Sequence, residues 1–419
     1  MPDLDAARDL LTFIDASPSP FHACATAALR LDAAGFTRLG ETDEWPSDTR
    51  RAYFVRDGSL VAWSVPASAT ATTPFRIIGA HTDSPNLRVK PHADVDGAGV
   101  RQIAVEVYGA TLFNSWLDRD LGLSGRVALR ADELRLLKVD RPVARIPQLA
   151  IHLDREVNTA GLTLNPQQHL TPLWAIDTGE FDAFVAAELG VATDDILFWD
   201  LMLHDVTPGA LLGRDSEFVS AARIDNLCSC WAAIEALTAT TNDGDIDVAM
   251  LFDHEEVGSA SNRGAASPIL ESALERINLG LGGGRDEWRR AIAASTCLSA
   301  DMAHATHPNY SERHEPGHWI AVNAGPVVKT NVSQRYATDA RSAGQFIEAC
   351  AAANVPLQTY VHRNDMLCGS TIGPITAARL GIPTIDVGAP QLSMHSAREL
   401  MGSADVALYK SALTAFLSS

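Results

Sequence analysis

The spacing of apolar residues changes character along the chain, and the changes outline its architecture. Residues 4–31 carry apolar positions at helical spacing, and Phe75-Arg76-Ile77-Ile78-Gly79 reads as a strand. From about Pro91 to about Arg214 the period shortens to two. Ile103, Val105 and Val107 alternate with other residues, as do Val127 and Leu129, the pattern of half-buried strands. After Ser216 an α/β rhythm resumes. The runs 247–252, 296–299 and 383–387 read as short buried strands, while Ile224, Leu227, Trp231, Ile234 and Leu237 recur on one helical face.

This pattern predicts an α/β fold interrupted by a β-rich insertion, not two domains in tandem. Residues 1–90 with 216–419 form the first unit, and 91–215 the inserted one. A chain of 419 residues is too long for one ordinary core, which agrees with two units. No internal repeat is visible. The glycine-rich stretch 280–284 lacks the Lys-Ser/Thr ending of a phosphate loop and reads as a flexible connection.

Composition narrows the function. With 46% hydrophobic and 20% charged residues the chain is a folded protein, and no apolar run approaches the roughly 18 residues that cross a bilayer. The start Met1-Pro2-Asp3-Leu4-Asp5 lacks the basic and apolar regions of a secretory signal, so a cytoplasmic location is expected. Six scattered cysteines show no metal-binding pairs and no disulfide density; Cys228 and Cys230 sit in an apolar helical stretch as packed thiols. The net charge is −19, from 33 Lys and Arg against 52 Asp and Glu. Such a surface repels nucleic acid and anionic membranes. An acidic substrate would need a local cation in its site.

Five segments concentrate metal-binding residue types. His81-Thr82-Asp83 has the arrangement in which an imidazole binds a metal and a carboxylate orients the ring. Asp225 opens an apolar helix, where helix capping is the plainer role. Glu255-Glu256 follows an apolar strand; adjacent carboxylates there call for a cation or a shared proton, unless the turn is simply solvated. Asp301 follows the strand 296–299, and His395 follows the strand 383–387. His304 and His307 lie nearby, with nothing in their spacing to tie them to the others. Ligands in open α/β sheets gather outside the carboxyl ends of strands, where His81, Glu256, Asp301 and His395 fall. Imidazoles and carboxylates without thiolates suit zinc, with manganese or cobalt as possible substitutes. Two histidines and three carboxylates suffice for two ions if one carboxylate bridges them.

In this order, these segments resemble the aspartyl aminopeptidase family of dizinc peptidases over nearly the whole chain. The resemblance rests on GAHTDSPNLRVKP from Gly79, IPQLAIHLDREVN from Ile146, ARIDNLCSCWAAIEAL from Ala222, DHEEVGSAS from Asp253, SADMAHATHPNY from Ser299 and the long motif from Cys368 through SMHSARE. It implies a mixed central sheet sandwiched by helices, with an inserted β-rich dimerisation or lid domain, and hydrolysis of acidic N-terminal residues from peptides. It further implies that His81 and Asp301 bind one zinc, Glu256 and His395 the other, and Asp225 both. Glu255 would be the general base and acid, with Asp83 supporting His81. His152 would reach into a neighbouring subunit's site within a dodecamer, and Lys329 would meet the substrate's acidic side chain. The chain departs from a common form of the pattern at His254, where many relatives carry Asn; its side chain is expected to point away. A carboxypeptidase or deacylase on the same metal core, and a non-catalytic oligomeric scaffold, are the rival functions.

Overall fold

Strands buried on both faces are apolar throughout, because helices cover a parallel sheet from either side. Ile246–Phe252 has every residue buried, and Phe75–His81 all but one. The computed structural model describes residues 4–176, 179–241 and 243–419. In it these two strands pair in parallel at the centre of a nine-stranded sheet. Thr296–Ala300 and Thr384–Gly388 extend the parallel block. Val327–Thr330 then runs antiparallel to Thr384–Gly388, and the hairpin Arg51–Arg56 with Ser59–Ser64 closes the other side, making the sheet mixed.

Helices cover both faces. One layer contains Asp5–Ala16, Pro20–Ala33, Ile224–Ala239 and Ser403–Ser418, packed around Phe13, Leu31, Trp231 and Tyr409. The other contains Ile269–Gly280 and Arg285–Ala294, joined by the glycine-rich stretch. The N-terminal helical pattern is divided at Ser17–Ser19. Ser19 accepts the His22 N–H and Pro20 opens the second helix, a sequence that starts a helix rather than continuing one.

A second, six-stranded antiparallel sheet uses only residues between Asn86 and Asp205 and has its own core around Leu123, Val127, Phe181 and Leu203. Its strand Asn86–Gly97 begins before Pro91 and runs through it. Pairing with Val100–Tyr108 is interrupted between Val89 and Asp94, an irregularity that accommodates a proline with no N–H to donate. Ala210–Leu212 and Phe218–Ala221 belong instead to a third sheet, with Glu399–Gly402, Pro390–Leu392 and Ala303–His304. These strands of two to four residues are too short to show a period.

The parallel strands end together. His81 is the last residue of one, Asp253 follows Phe252, and Asp301 follows Ala300. Gly388 has a specific reason to be glycine: a Cβ there would collide with the carbonyl oxygen of Asp301, so only glycine lets that backbone come close.

Candidate metal centre

His81 and His395 present the same nitrogen to the same carboxylate. His81 is buried, and its Nδ1 lies 3.0 Å from the carbonyl oxygen of Asp83. His395 Nδ1 lies 3.0 Å from the carbonyl oxygen of Ala110. A carbonyl only accepts, so each Nδ1 carries a proton and donates it. Each Nε2 therefore faces the cluster. His81 Nε2 is 3.5 Å from Asp225 Oδ1, and His395 Nε2 is 3.3 Å from Asp225 Oδ2. Asp301 Oδ1 lies 3.8 Å from His81 Nε2, and Glu256 Oε1 lies 3.4 Å from His395 Nε2. Asp225 thus has one oxygen on each side, with one further carboxylate per side.

The local backbone departs from regular structure to build this. Arg223 has φ 55°, and Asp225 and Asn226 are non-helical at the start of Ile224–Ala239, joined by a cis peptide. Asp225 is therefore not a simple helix cap. Its carbonyl accepts from Ser84 Oγ at 2.7 Å, and Asn226 Nδ2 donates to the Ala300 carbonyl at 2.8 Å. Glu255 and Glu256 lie on a turn that follows His254 at φ 64°. Asp83, fully buried, accepts both of their N–H groups at 3.1 Å, one on each oxygen, and a hydrogen bond from Tyr108 Oη at 2.7 Å. Asp83 thus holds the two glutamates as well as lying beside His81.

The electrostatics call for cations. Asp225 Oδ1 and Glu256 Oε1 are buried and accept no hydrogen bond. An ionised carboxylate in that state costs several kcal/mol unless a positive group compensates (on the order of 1–3 kcal/mol for each unsatisfied atom, more when charged). Ligand atoms of His81, Asp225 and Glu256 all lie within 4.8 Å of one another. Without an ion, protons serve instead. Burial works against charge on His395, yet the carboxylates of Asp225 and Glu256 push its pKa up to about 10. His81 is likewise raised, with Asp225 and Asp301 overcoming its burial. Burial pushes Glu256 upward and Glu255 up to about 8, the latter reinforced by Asp301 and Asp83. Burial opposes charge on Asp225, but the two imidazoles pull its pKa down. Two inward-facing imidazole nitrogens, carboxylate oxygens without hydrogen-bond donors and no thiolate are a donor set that fits zinc.

The cluster and Glu255 line one cleft. Lys329, Tyr336, His304, Thr371 and Met394 form more of its wall. Lys329 is only 2% exposed; its Nζ donates to the carbonyls of Asp301 at 2.9 Å and Met302 at 3.1 Å and lies 5.1 Å from the Tyr336 ring. His152 is not in this cleft and lies exposed on the segment 147–156. The His254 side chain meets Ser261 Oγ (2.8 Å), Arg263 (3.2 Å) and the Asp253 carboxylate (3.7 Å), and it is not among the residues that line the cleft. His304 joins the cleft wall although nothing in its spacing ties it to the ligands, while His307 packs against Tyr310. Tyr108, Tyr336 and Glu399 escape a reading for ligand types. Only Glu399, four residues after His395, carries a hint in its position.

A family model described as aminopeptidase I zinc metalloprotease (M18) matches residues 13–417. The probable M18 family aminopeptidase 2 of Mycobacterium leprae (strain TN) is 54% identical over 421 residues, covering 99% of this chain and 98% of the relative. That of Streptomyces coelicolor is 52% identical over 417 residues, covering 98% and 96%. Among solved structures, a chain in the cryo-EM structure of the Ape4 and Nbr1 complex superposes with a TM-score of 0.95 at 36% identity, covering 98% of this chain and 85% of that one. The S. cerevisiae mApe1 dodecamer gives a TM-score of 0.87 at 29% identity, with 99% and 96% covered.

Proposed function

The chain belongs to the M18 family of zinc metalloproteases, and from that premise we propose that it is a dizinc aminopeptidase removing acidic N-terminal residues from peptides. The observation that carries the two-ion reading is the position of Asp225, one oxygen toward His81 and the other toward His395. His81 and Asp301 would hold one ion, Glu256 and His395 the other, and Asp225 both. When bound, zinc supplies Lewis acidity, which polarises the scissile carbonyl and lowers the pKa of a water.

Glu255 has no place in that ligand set but lines the same cleft. It takes a proton from the attacking water and returns it to the leaving amine nitrogen. The hydrogen bond from its backbone to Asp83 fixes where its carboxylate hangs. Lys329 supplies the local cation that an acidic substrate requires against a net charge of −19. An ammonium has three donors. Two are used on the Asp301 and Met302 carbonyls, which leaves one for the substrate's side-chain carboxylate.

The division into a catalytic unit and a β-rich insertion is supported by the separate sheet and core between Asn86 and Asp205. The exposed apolar residues Leu149 (58%) and Leu153 (75%) flank His152 beside a further open pocket. That surface suits contact with another copy, so we read His152 as serving a neighbour's cleft in a homo-oligomer, a dodecamer as in the mApe1 structure. The six cysteines are all free and, among the described residues, no helix is long and apolar enough to cross a membrane. Unpaired thiols favour a reducing, cytoplasmic setting.

Metal analysis joined to chelation tests the reading. Two zinc ions per chain and reversible loss of aminopeptidase activity on chelation are expected; activity that persists in metal-free protein would refute it.

A further inference from the structure

We propose that Glu399 is a positioning residue for the metal centre, its carboxylate holding the Asp225 and His395 backbones in register with one another. This rests on reading Asp225 and His395 as ligands. Glu399 is 2% exposed, and each of its oxygens takes one ligand's N–H: Oε2 accepts from Asp225 at 2.9 Å, and Oε1 from His395 at 2.7 Å. Gln391 Nε2 adds a longer contact to Oε1 at 3.5 Å.

The topology explains why one side chain reaches both. The strand Glu399–Gly402 lies between Phe218–Ala221, which leads into Asp225, and Pro390–Leu392, which leads into His395. Ala221 is the register partner of Glu399. Past those strands both approaches are irregular. Arg223 (φ 55°), Ser393 (φ 58°) and His395 (φ 67°) all take left-handed conformations. Such residues keep those conformations only where surrounding contacts over-determine them. Glu399 supplies that contact to both loops at once, on the side away from the cleft. It is absent from the cleft wall and lines a smaller cavity behind Asp225 and His395. It therefore acts on the ligands through their main chain and does not meet substrate.

Displacing either backbone moves the His395 imidazole relative to Asp225 Oδ2, now 3.3 Å apart; the ion on the His395 and Glu256 side then has two ligands out of place, and the ion on the His81 side only Asp225. Outer partners of metal ligands are typically worth roughly 10- to 100-fold in affinity. In Glu399→Gln one oxygen becomes an NH2 group, which cannot accept the second N–H. In Glu399→Asp the carboxyl group stays but the shorter side chain cannot span both donors.

The test is zinc titration of the metal-free wild-type and variant proteins against a chromophoric competitor. Metal content, melting of the metal-free forms and steady-state kinetics at low and excess zinc accompany it. Both variants should bind the ion on the His395 and Glu256 side 10- to 100-fold more weakly, with a smaller loss for the other ion through Asp225. At low zinc kcat should fall with KM little changed, and excess zinc should restore it. Unchanged affinity for both ions would overturn the role, as would a lower melting temperature with metal binding intact. If Glu399→Gln fails to fold, Glu399→Asp carries the same test. A wild type that holds a single ion refutes the two-ion reading, and Glu399 is then judged by the variants' affinity for that ion.

Discussion

Lys329 and Asp301 are joined twice: the ammonium donates to the Asp301 carbonyl at 2.9 Å and lies 3.9 Å from its carboxylate. The residue read as choosing the substrate is thereby fastened to a residue read as holding a metal. The pairing crosses strands, with Lys329 on Val327–Thr330 and Asp301 just past Thr296–Ala300. On the proposed function, a substrate carboxylate that engages Lys329 would be placed at a fixed offset from Asp301 and from the ion it would hold, which would position its first peptide bond.

Replacing Lys329 by Met should remove the preference for acidic residues. A hydrogen bond to a charged group is worth about 1.5–3 kcal/mol, so kcat/KM for Asp and Glu substrates should fall roughly 10- to 150-fold. Leu substrates should change much less. Steady-state kinetics on the three aminoacyl substrates check this. Equal losses on all of them would mean that Lys329 acts only through Asp301.

Glu255→Gln should separate binding from turnover. The amide keeps the size of the side chain but cannot take a proton, so kcat should fall about 10²- to 10⁴-fold. Metal content, measured on the same sample, should equal that of wild type. Substantial residual turnover in metal-replete variant would remove Glu255 from the proton-transfer role.

The four parallel strands at the middle of the central sheet were legible, and with them the placing of His81, Glu256, Asp301 and His395 at or shortly after their carboxyl ends. Runs such as 247–252 are apolar without interruption because helices cover both faces, and ligand-type residues follow their carboxyl ends. The third sheet was not legible. Its strands of two to four residues are stabilised by partners far along the chain, as when Ala221 pairs with Glu399. For the same reason Asp225 resembled an ordinary helix start; its geometry is set by Glu399, 174 residues away, and by Ser84, 141 residues away. The inserted sheet showed its period clearly, but its first strand hid behind Pro91, a residue that usually ends strands.

His22 should make the fold acid-sensitive. It is buried beside Ser19 Oγ, 2.7 Å from Nδ1, and burial with the nearby Lys138 charge pushes its pKa down to about 4. Unfolded, it titrates near its ordinary value of about 6.5. Between those values the unfolded chain binds a proton that the folded one refuses, so stability is present above pH ~6.5 and is lost as pH falls toward ~4, about 3 kcal/mol in all. Melting temperature should drop less steeply over that interval in His22→Gln; equal slopes would contradict this.

His152→Ala should spare zinc content while lowering activity, since its side chain lies outside its own chain's cleft. If it serves a neighbour, oligomers reassembled from His152→Ala and Glu255→Gln chains should regain activity that neither variant has alone. Each mixed contact can contain one site with both residues intact. No regain in mixed oligomers, confirmed by mass, would leave His152 without a role in catalysis.

The most direct measurement is hydrolysis of chromogenic Asp, Glu, Leu, Lys and N-acetyl-Asp substrates by one metal-analysed preparation. Release from free-amine Asp or Glu, abolished by acetylation and by chelation, is the predicted result. Preference for Leu or Lys would contradict the assignment of Lys329 and the acidic specificity. Silence on every substrate with both metals bound would contradict the aminopeptidase reading itself.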